Sequence, residues 1–395
     1  MIAESRALLS SVPEISSLHV LTLTPFFPVQ NNHTDGCFVA EPLPYLSPHG
    51  VRNTVMAVSP FYQPKRSPLT AAPSQRVQYP CLPGNWGLAT SGAFLFRRLL
   101  DDIRALHGGH RIDLVHAHSA LPCGHAAQLI RCALNIPYVV TIHGLDAFST
   151  SQVGRTFGKC CKRRTVQVFR QAERVLCVSR KVQERVIAGC PEARTHVIYN
   201  GVDPKLFNAA PQASHAVSVL CVGNFIPTKG QDVLLRAFAE VRKTVPDCFL
   251  KFIGGGPEEC NLRRLAYQLD IAEAVTFARR QGRESVARAM RDSTIFALPS
   301  SYEGLGCVYL EAMSCSKPVI ACRGQGIEEI IEHGENGYLI APHDHRALSE
   351  RIIQLVQSKE LREQVGRRAR RTILDGYTLD HQAEGMVEAY REACR

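Results

Sequence analysis

The sequence predicts an α/β protein of two domains, each built on a mostly parallel sheet covered by helices. Short aliphatic and β-branched runs alternate with segments of helical periodicity along most of the chain. A turn cluster at 200–204 and a weakly patterned, proline-containing segment at 208–216 interrupt this alternation near its middle. The length of 395 residues also exceeds what one ordinary core supports, so two domains are expected.

The first half of the chain contains six predicted strands, with helices between several of them. Each strand is a short run of mainly aliphatic residues, and the two clearest helices show apolar residues at a spacing of three and four. The strands are at 19–23, 54–58, 114–118, 138–143, 175–178 and 196–199, and the helices at 93–106 and 124–134. Strands that alternate with helices indicate a mostly parallel sheet.

The second half repeats this pattern. Strands are predicted at 217–222, 249–253, 274–277 and 294–299, and helices at 231–241, 259–269, 283–290 and 308–313. We therefore predict a first Rossmann-like domain at 1–207 and a second at 208–376, with a helix within 377–395 that packs back toward the first domain. Open sheets of this kind bind ligands at the carboxyl ends of their strands, so the site is expected in the cleft between the domains.

The net charge of +10 and the pI near 9.0 indicate an anionic partner. Much of the excess lies at 155–194, which is either a solvated helix face or a surface for anionic lipid headgroups. No nucleic-acid partner is expected, because the chain has no recognised binding motif and no aromatic residues interleaved with the basic ones.

Hydropathy and cysteine usage indicate a cytoplasmic protein. No apolar run reaches the length of a bilayer span, and residues 1–18 lack the apolar centre of a signal peptide. Peripheral contact with the inner face of the cytoplasmic membrane is the expected alternative location. The 15 cysteines are scattered and form no zinc-type Cys-x2-Cys pairs, so we expect reduced thiols and no metal site.

The most informative motif is a predicted strand followed by a glycine-containing loop and an apolar helix. Its two glutamates, Glu303 and Glu311, have seven residues between them. Free amides at a helix start attract anions, so Gly304, Leu305 and Gly306 form a candidate phosphate-binding loop. Carboxylates accept hydrogen bonds from hydroxyl groups. Glu303 at the loop rim and Glu311 on the helix are therefore candidate ligands of ribose and hexose hydroxyls.

Two further glycine-containing loops follow strands of the second domain. The loop at 223–230 includes Asn224 and Lys229, and its lysine could neutralise a diphosphate, although the spacing is not that of a Walker P-loop. The loop at 254–257 contains Gly255 and Gly256, which permit close backbone approach to a nucleotide. It lacks the Gly-x-Gly-x-x-Gly pattern, which disfavours a dehydrogenase.

The first domain contributes polar residues at the ends of its strands. His116 and His118 share one side of a strand end, and we expect His116 to be structural and His118 to reach the cleft. His143 and Asp146 follow the next strand and are candidate contacts for an acceptor. Gly36, in the loop after the first strand, could present amides to a phosphate or to a transferred sugar.

Taken together, these motifs resemble those of the retaining GT-B glycosyltransferases of family 4, also called group 1. The resemblance runs from about residue 19 to about 390. Its most specific part is Glu303-x7-Glu311, followed by Lys-Pro-Val-Ile-Ala at 317–321 and Gly-Ile-Glu-Glu-Ile at 326–330. It implies a GT-B fold, in which two Rossmann-like domains face each other across a cleft.

The resemblance also implies roles for individual residues. Lys229 binds the donor diphosphate, Glu311 binds the nucleotide ribose, and Glu303 contacts the donor sugar. The amides of Gly304, Leu305 and Gly306 hold the phosphate, and His118 lies near the sugar and the acceptor.

Two departures from the family pattern concern donor binding. Asn224 stands where similar enzymes often have an arginine that shares the diphosphate, so donor binding is either weaker or uses another residue, with Arg279 and Arg280 as candidates. The segment 276–282 also lacks the usual Phe-x-Gly pattern, which leaves the recognition of the base undetermined.

The resulting expectation is a metal-independent, cofactor-free enzyme that moves a hexose from a UDP- or GDP-linked sugar to a hydroxyl of a glycan or lipid-linked acceptor. Cell-envelope or exopolysaccharide assembly fits this chemistry by analogy with the family. The alternatives are a sugar phosphorylase or epimerase of the same architecture and a catalytically weak sugar-nucleotide-binding subunit. The Asn224 departure suggests the second of these.

Overall fold

The computed structural model describes residues 17–29, 35–63, 74–82, 87–144, 155–209 and 217–395. Every strand pairing between the named strands is parallel, as predicted. The strands are β1 (Leu18–Thr24), β2 (Val51–Pro60), β3 (Ser74–Tyr79), β4 (Leu114–His118), β5 (Tyr138–Ile142), β6 (Arg174–Cys177), β7 (Thr195–Val197), β8 (Ser218–Asn224), β9 (Phe249–Gly255), β10 (Val275–Ala278), β11 (Ile295–Ala297), β12 (Val319–Cys322) and β13 (Tyr338–Ile340).

Helices connect these strands and cover the sheets. The helices are α1 (Cys37–Ala40), α2 (Leu43–Leu46), α3 (Leu88–Gly109), α4 (His125–Leu134), α5 (Arg155–Gln171), α6 (Arg180–Gly189), α7 (Gln231–Thr244), α8 (Glu259–Gln268), α9 (Arg283–Asp292), α10 (Cys307–Ser314), α11 (His345–Gln357), α12 (Lys359–Gly376) and α13 (Leu379–Ala393). Within the described ranges, no helix is both long and apolar enough to cross a membrane.

The two sheets explain where a ligand can bind. The first has seven strands in the order β3-β2-β1-β4-β5-β6-β7, and the second has six in the order β10-β9-β8-β11-β12-β13. The strand order reverses between β1 and β4 in the first sheet and between β8 and β11 in the second. A crevice opens at the carboxyl ends of the strands at each reversal. The predicted site loops lie at these two crevices.

The last helix, α13, packs on the first domain although it follows the second in sequence. Its buried residues Met386, Val387 and Tyr390 share an apolar cluster with Val20 of β1 and Val139 of β5. The helix begins with a capping box in which the Thr378 side chain accepts from the backbone of His381. The predicted return of the C-terminal helix is confirmed.

The chain crosses between the two sheets twice, and the two crossings lie side by side. The amide of Val202 donates to the Tyr377 carbonyl at 3.0 Å, and the amide of Leu379 donates to the Val202 carbonyl at 3.1 Å. A Cβ at Gly201 would lie 2.3 Å from the Thr378 carbonyl oxygen, so only glycine permits this approach.

The structure differs from the sequence prediction in several elements. β3 is not predicted, because its polar sequence SQRVQY lacks the aliphatic run of a central strand and lies at the sheet edge. β2 is twice as long as the predicted segment, with 10 residues. Most of the proposed linker, residues 210–216, lies outside the described residues.

Candidate functional site

A cavity of about 530 Å³ lies between the two sheets at the carboxyl ends of their strands. Both domains line it. The first domain contributes residues from the loop after β1, His143 directly after β5, and Asn200. The second domain contributes residues at the ends of β8 and β9 and residues that follow β8, β10 and β11. Among the lining residues are Gly36, His143, Asn224, Lys229, Arg280, Arg283, Glu303, Gly304, Leu305, Gly306 and Glu311.

The loop after β1 is held close to its own strand. Gly36 has a φ of 70°, and a Cβ there would lie 2.3 Å from the backbone carbon of Phe26. Both facts require glycine. Gly36 also precedes α1, so this short helix starts at the cavity wall.

The candidate phosphate loop is pressed against the first domain. A Cβ at Gly304 would lie 2.1 Å from the His143 carbonyl oxygen, and the Ser179 hydroxyl donates to the Gly304 carbonyl at 2.7 Å. Gly306 has a φ of 87° and precedes α10. The backbone at this helix start faces the cavity, where its partial positive charge favours an anion.

Glu303 is buried below the loop and is not at its rim, which corrects the sequence-based expectation. Its relative exposure is 8%, and its Oε1 lies 2.5 Å from Nζ of Lys229. The Ser300 hydroxyl donates to the same oxygen at 2.9 Å, and the Glu303 amide donates to Oε1 of Gln325 at 2.9 Å. These contacts draw the carboxylate inward and fix its position beside the lysine.

Glu311 lies on α10 and is almost fully buried. Its Oε1 accepts a hydrogen bond from Arg283, whose guanidinium also binds Glu41 of the first domain. The other carboxylate oxygen, Oε2, is buried and has no hydrogen-bond partner among the residues that the structure describes. Sequence reasoning does not single out Arg283 or Glu41. Arg283 is the first residue of α9, and Glu41 directly follows the four-residue helix α1. Neither position has a residue pattern that indicates a binding site.

The structure distinguishes between the two arginines expected near Asn224. Nη2 of Arg280 donates to Oδ1 of Asn224 at 2.8 Å, and Arg280 lines the cavity. Arg279 is not among the lining residues. In the described part of the chain Arg280 forms no ion pair with a carboxylate, whereas Lys229 and Arg283 both do.

The two other predicted glycines lie close to the cavity without lining it. A Cβ at Gly255 would meet only the Arg280 side chain, at 4.0 Å. A Cβ at Gly256 would lie 2.4 Å from the Phe225 carbonyl oxygen, so this glycine serves backbone packing. The neighbouring Gly254 is the residue of this loop that lines the cavity.

The first-domain histidines form a chain that runs from the buried His116 and His118 to the half-buried His143 at the cavity. Nδ1 of His118 lies 3.0 Å from Nε2 of His143, and His143 is the one that lines the cavity. His118 lies behind it and lines a much smaller adjoining space with His116. His116 bonds Tyr390 of α13 and Thr141, each at 2.7 Å, which is the structural role expected for it.

Burial decides the charge of these histidines. Loss of hydration lowers the pKa of His143 and of His116 to about 3 and holds the pKa of His118 well below its ordinary value. All three imidazoles are therefore neutral at pH 7 and act through hydrogen bonds. Asp146, the other candidate acceptor contact, lies outside the described residues.

The described residues contain no group of three or more His, Cys, Asp or Glu side chains that could hold a metal ion. The positively charged side chains that line the cavity are Lys229, Arg280 and Arg283. These groups can balance the negative charge of an anionic ligand.

Comparisons with known proteins agree with this geometry. The model of the family "Glycosyltransferase Family 4" matches residues 39–206, and that of "Glycosyl transferases group 1" matches residues 204–372. An uncharacterized glycosyltransferase of Methanocaldococcus jannaschii is 32% identical over 65% of this chain and 68% of its own length. The GDP-mannose-dependent alpha-(1-6)-phosphatidylinositol monomannoside mannosyltransferase of Mycolicibacterium smegmatis is 30% identical over 70% and 75%, respectively.

Solved structures share the fold at lower sequence identity. Sucrose-phosphate synthase of Thermosynechococcus elongatus superposes with a TM-score of 0.78 at 20% identity and covers 94% of this chain and 98% of its own. Anabaena HepE in complex with UDP-glucose gives 0.74 at 20% identity, with the same coverage of 94% and 98%. The two facing parallel sheets, the motifs of the cleft and these relatives establish that the chain belongs to the group 1 (family 4) glycosyltransferases and has their GT-B fold.

Proposed function

We propose that this protein is a retaining glycosyltransferase that moves a hexose from a UDP- or GDP-linked donor to an acceptor hydroxyl without a metal ion. The observation that carries the proposal is the cavity itself. Lys229, the residues at the start of α10 and Glu311 line one space between the domains, and Oε2 of Glu311 has no hydrogen-bond partner among the described residues. GDP is the nucleotide named for the mycobacterial relative, and UDP is the nucleotide named for HepE.

The diphosphate of the donor would lie against the loop formed by Gly304, Leu305 and Gly306. Lys229 lines the same wall but is partly neutralised by Glu303. Arg280, anchored by the neutral amide of Asn224, brings a charge that no carboxylate of the described residues balances. Arg280 thus supplies the cation that Asn224 lacks, which supports a competent donor site over a degenerate one.

Transfer requires charge stabilisation on the departing diphosphate. The bond between the anomeric carbon and the diphosphate oxygen breaks, and the acceptor oxygen bonds to the same face of that carbon. The departing phosphate oxygen takes the acceptor proton. Lys229 and the loop amides would bind the growing negative charge, and stabilisation of this kind usually makes the greatest contribution to catalysis. Glu303, held beside Lys229, would accept hydrogen bonds from the donor sugar.

The acceptor would approach from the first domain, past His143. Neutral His143, backed by His118, can exchange hydrogen bonds with a sugar hydroxyl without adding charge. A lipid-linked or glycan acceptor of the cell envelope suits the basic helix α5, which has no acidic residue. Its exposed residues Lys159, Lys162 and Arg163 could each add about 1 kcal/mol of attraction to an anionic membrane.

The first test is a thermal-shift screen with UDP, GDP, ADP and their glucose, mannose and N-acetylglucosamine conjugates, with Mg²⁺ and with EDTA. A ligand that binds only the folded chain raises its melting temperature. We expect one diphosphate family to stabilise the protein equally with Mg²⁺ and with EDTA. Stabilisation only with Mg²⁺ would contradict the metal-independent site.

The stereochemistry is tested on the donor identified in this way. Proton NMR of the product should show the anomeric configuration of the donor, and an inverted product would contradict a retaining mechanism. Sugar-1-phosphate formation with inorganic phosphate would indicate a phosphorylase. Tight donor binding without transfer to any glycan or lipid acceptor would favour a binding subunit.

A further inference from the structure

The guanidinium of Arg283 joins one carboxylate from each domain. Nε and Nη2 donate to Oε1 and Oε2 of Glu41 at 2.6 and 2.8 Å, and Nη1 donates to Oε1 of Glu311. We propose that Arg283, held by Glu41, is a positioning residue that presents Oε2 of Glu311 to a ribose hydroxyl of the donor, so that domain closure and nucleotide binding favour each other. This inference rests on the proposed function, in which Glu311 receives the ribose.

The three side chains form a buried unit. The exposed fractions are 15% for Arg283, 3% for Glu311 and 23% for Glu41. The guanidinium also stacks on the fully buried Phe207 ring, with its central carbon 4.7 Å from the ring centroid. A planar guanidinium bound on two edges and one face cannot turn without breaking several contacts. Arg283 therefore fixes the position of Oε1 of Glu311.

Fixing one oxygen determines the direction of the other. Oε2 of Glu311 is buried, has no hydrogen-bond partner within the described ranges, and belongs to a residue that lines the cavity. A buried acceptor without a hydrogen bond raises the free energy of the folded protein. A ligand group that donates a hydrogen bond to this oxygen would remove that cost. The cluster has two carboxylates for one cation, so its net charge is negative and it would repel a phosphate. A neutral hydroxyl group is the matching partner.

Glu41 connects this arrangement to the first domain. It follows α1 in the wall that contains Gly36, whereas Arg283 begins α9 and Glu311 lies on α10 of the second domain. Opening the cleft would separate Glu41 from Arg283 and remove the two hydrogen bonds that orient the guanidinium. The two equilibria are linked, so the factor by which closure of the cleft raises the affinity for the nucleotide is the same factor by which bound nucleotide favours the closed cleft.

The test compares ribonucleotides with their deoxy forms by isothermal titration calorimetry. The ligands are UDP and GDP and their 2′-deoxy and 3′-deoxy counterparts, and the proteins are the wild type, Glu41→Gln, Arg283→Lys and Glu311→Gln. We expect the wild type to prefer the ribonucleotide over at least one deoxy form. Glu41→Gln should weaken ribonucleotide binding about 5-fold or more and leave the affinity for that deoxy form almost unchanged.

Matched variants separate positioning from general damage. Arg283→Lys keeps the charge but cannot bind both carboxylates in the same way, so it should also lose the discrimination. Glu392→Gln breaks another pair with an arginine, Arg174, at 3.1 Å and away from the cavity, and should change neither affinity. Melting temperatures check that each variant is folded, and the isosteric Glu41→Gln change adds no volume.

The possible results distinguish this inference from the proposed function. If Glu311→Gln removes the ribose discrimination but Glu41→Gln and Arg283→Lys retain it, the positioning role is overturned and the ribose site stands. If Glu311→Gln itself retains the discrimination, the ribose assignment is wrong and both fail. Effects of Glu41→Gln and Glu311→Gln that simply add in the double variant would also overturn the coupling.

Discussion

Lys229 and Glu303 form an ion pair below the phosphate loop, with 2.5 Å between Nζ and Oε1 although 74 positions separate them in sequence. Their side chains are only 20% and 10% exposed, so solvent screens the pair weakly. Oε1 also accepts from Ser300, which holds the carboxylate in place. A diphosphate that enters the cavity must therefore share Lys229 with a carboxylate that is already bound to it.

Replacement of Lys229 by alanine should lower turnover roughly 100-fold or more, because the departing diphosphate loses a charged donor. Initial rates of sugar transfer at saturating donor measure this. Lys243→Ala is the control, since Lys243 is 70% exposed and pairs with Glu240 on the surface. Undiminished turnover in Lys229→Ala would refute the role of this lysine.

Arg280→Ala should weaken the binding of nucleoside diphosphates about 10-fold, because the cavity loses its one cation that no carboxylate of the described residues neutralises. The neighbouring Arg279→Ala removes the same charge outside the cavity lining and serves as the control. Calorimetry on both variants gives the comparison. Equal losses would show that only the overall charge matters, and a loss confined to Arg279→Ala would contradict the geometry.

The buried histidines predict a loss of stability in mild acid. Burial lowers the pKa of His116 and of His143 to about 3, so between pH 6.5 and 3 the unfolded chain binds protons that the folded chain does not. The free energy of unfolding then falls as the pH falls, by about 1.4 kcal/mol per pH unit for each such histidine.

Urea unfolding between pH 7 and pH 5 measures this slope. A His143→Gln variant should have a shallower pH dependence than the wild type, because one group no longer takes up a proton on unfolding. His110→Gln, at an exposed position, is the comparison variant. An unchanged slope in His143→Gln would mean that this histidine binds protons equally in the folded and the unfolded chain.

Tyr390→Phe tests the anchoring of α13 on the first domain. The Tyr390 hydroxyl lies 2.7 Å from Nδ1 of His116, and the ring is fully buried. Removal of the hydroxyl leaves that nitrogen without its partner, which should cost about 1–3 kcal/mol of unfolding free energy. Tyr267→Phe, at a position that is 80% exposed, should cost almost nothing in the same denaturant titration.

Gly304→Ala should impair catalysis without affecting either core. The new methyl group would lie 2.1 Å from the His143 carbonyl oxygen, so the loop and the first domain must move apart. A displacement of about 1 Å at a reacting centre can reduce the rate on the order of 100-fold. Gly376→Ala, which meets nothing within 4 Å, is the control in the rate assay. Full activity of Gly304→Ala would show that this contact is not needed.

The sequence by itself determined the alternation of strands and helices and the position of the site. Short apolar runs such as 219–221 and 295–298 are buried on both faces, which is typical of central parallel strands. Loops that follow such strands meet at one edge of the sheet, so the residue pattern together with the family resemblance assigned Lys229 and Glu303 to one cleft. The polar edge strand β3 has no such signal and was missed.

Only the tertiary structure decided which charged groups meet. Arg279 and Arg280 are adjacent and chemically identical in sequence, and the direction of each side chain at the end of β10 selects Arg280 for the cavity. Glu41 and Arg283 are 242 positions apart, and only the facing of the two domains makes them partners. The strength of an ion pair depends on distance and burial in the folded chain, and neither is encoded in the local residue pattern.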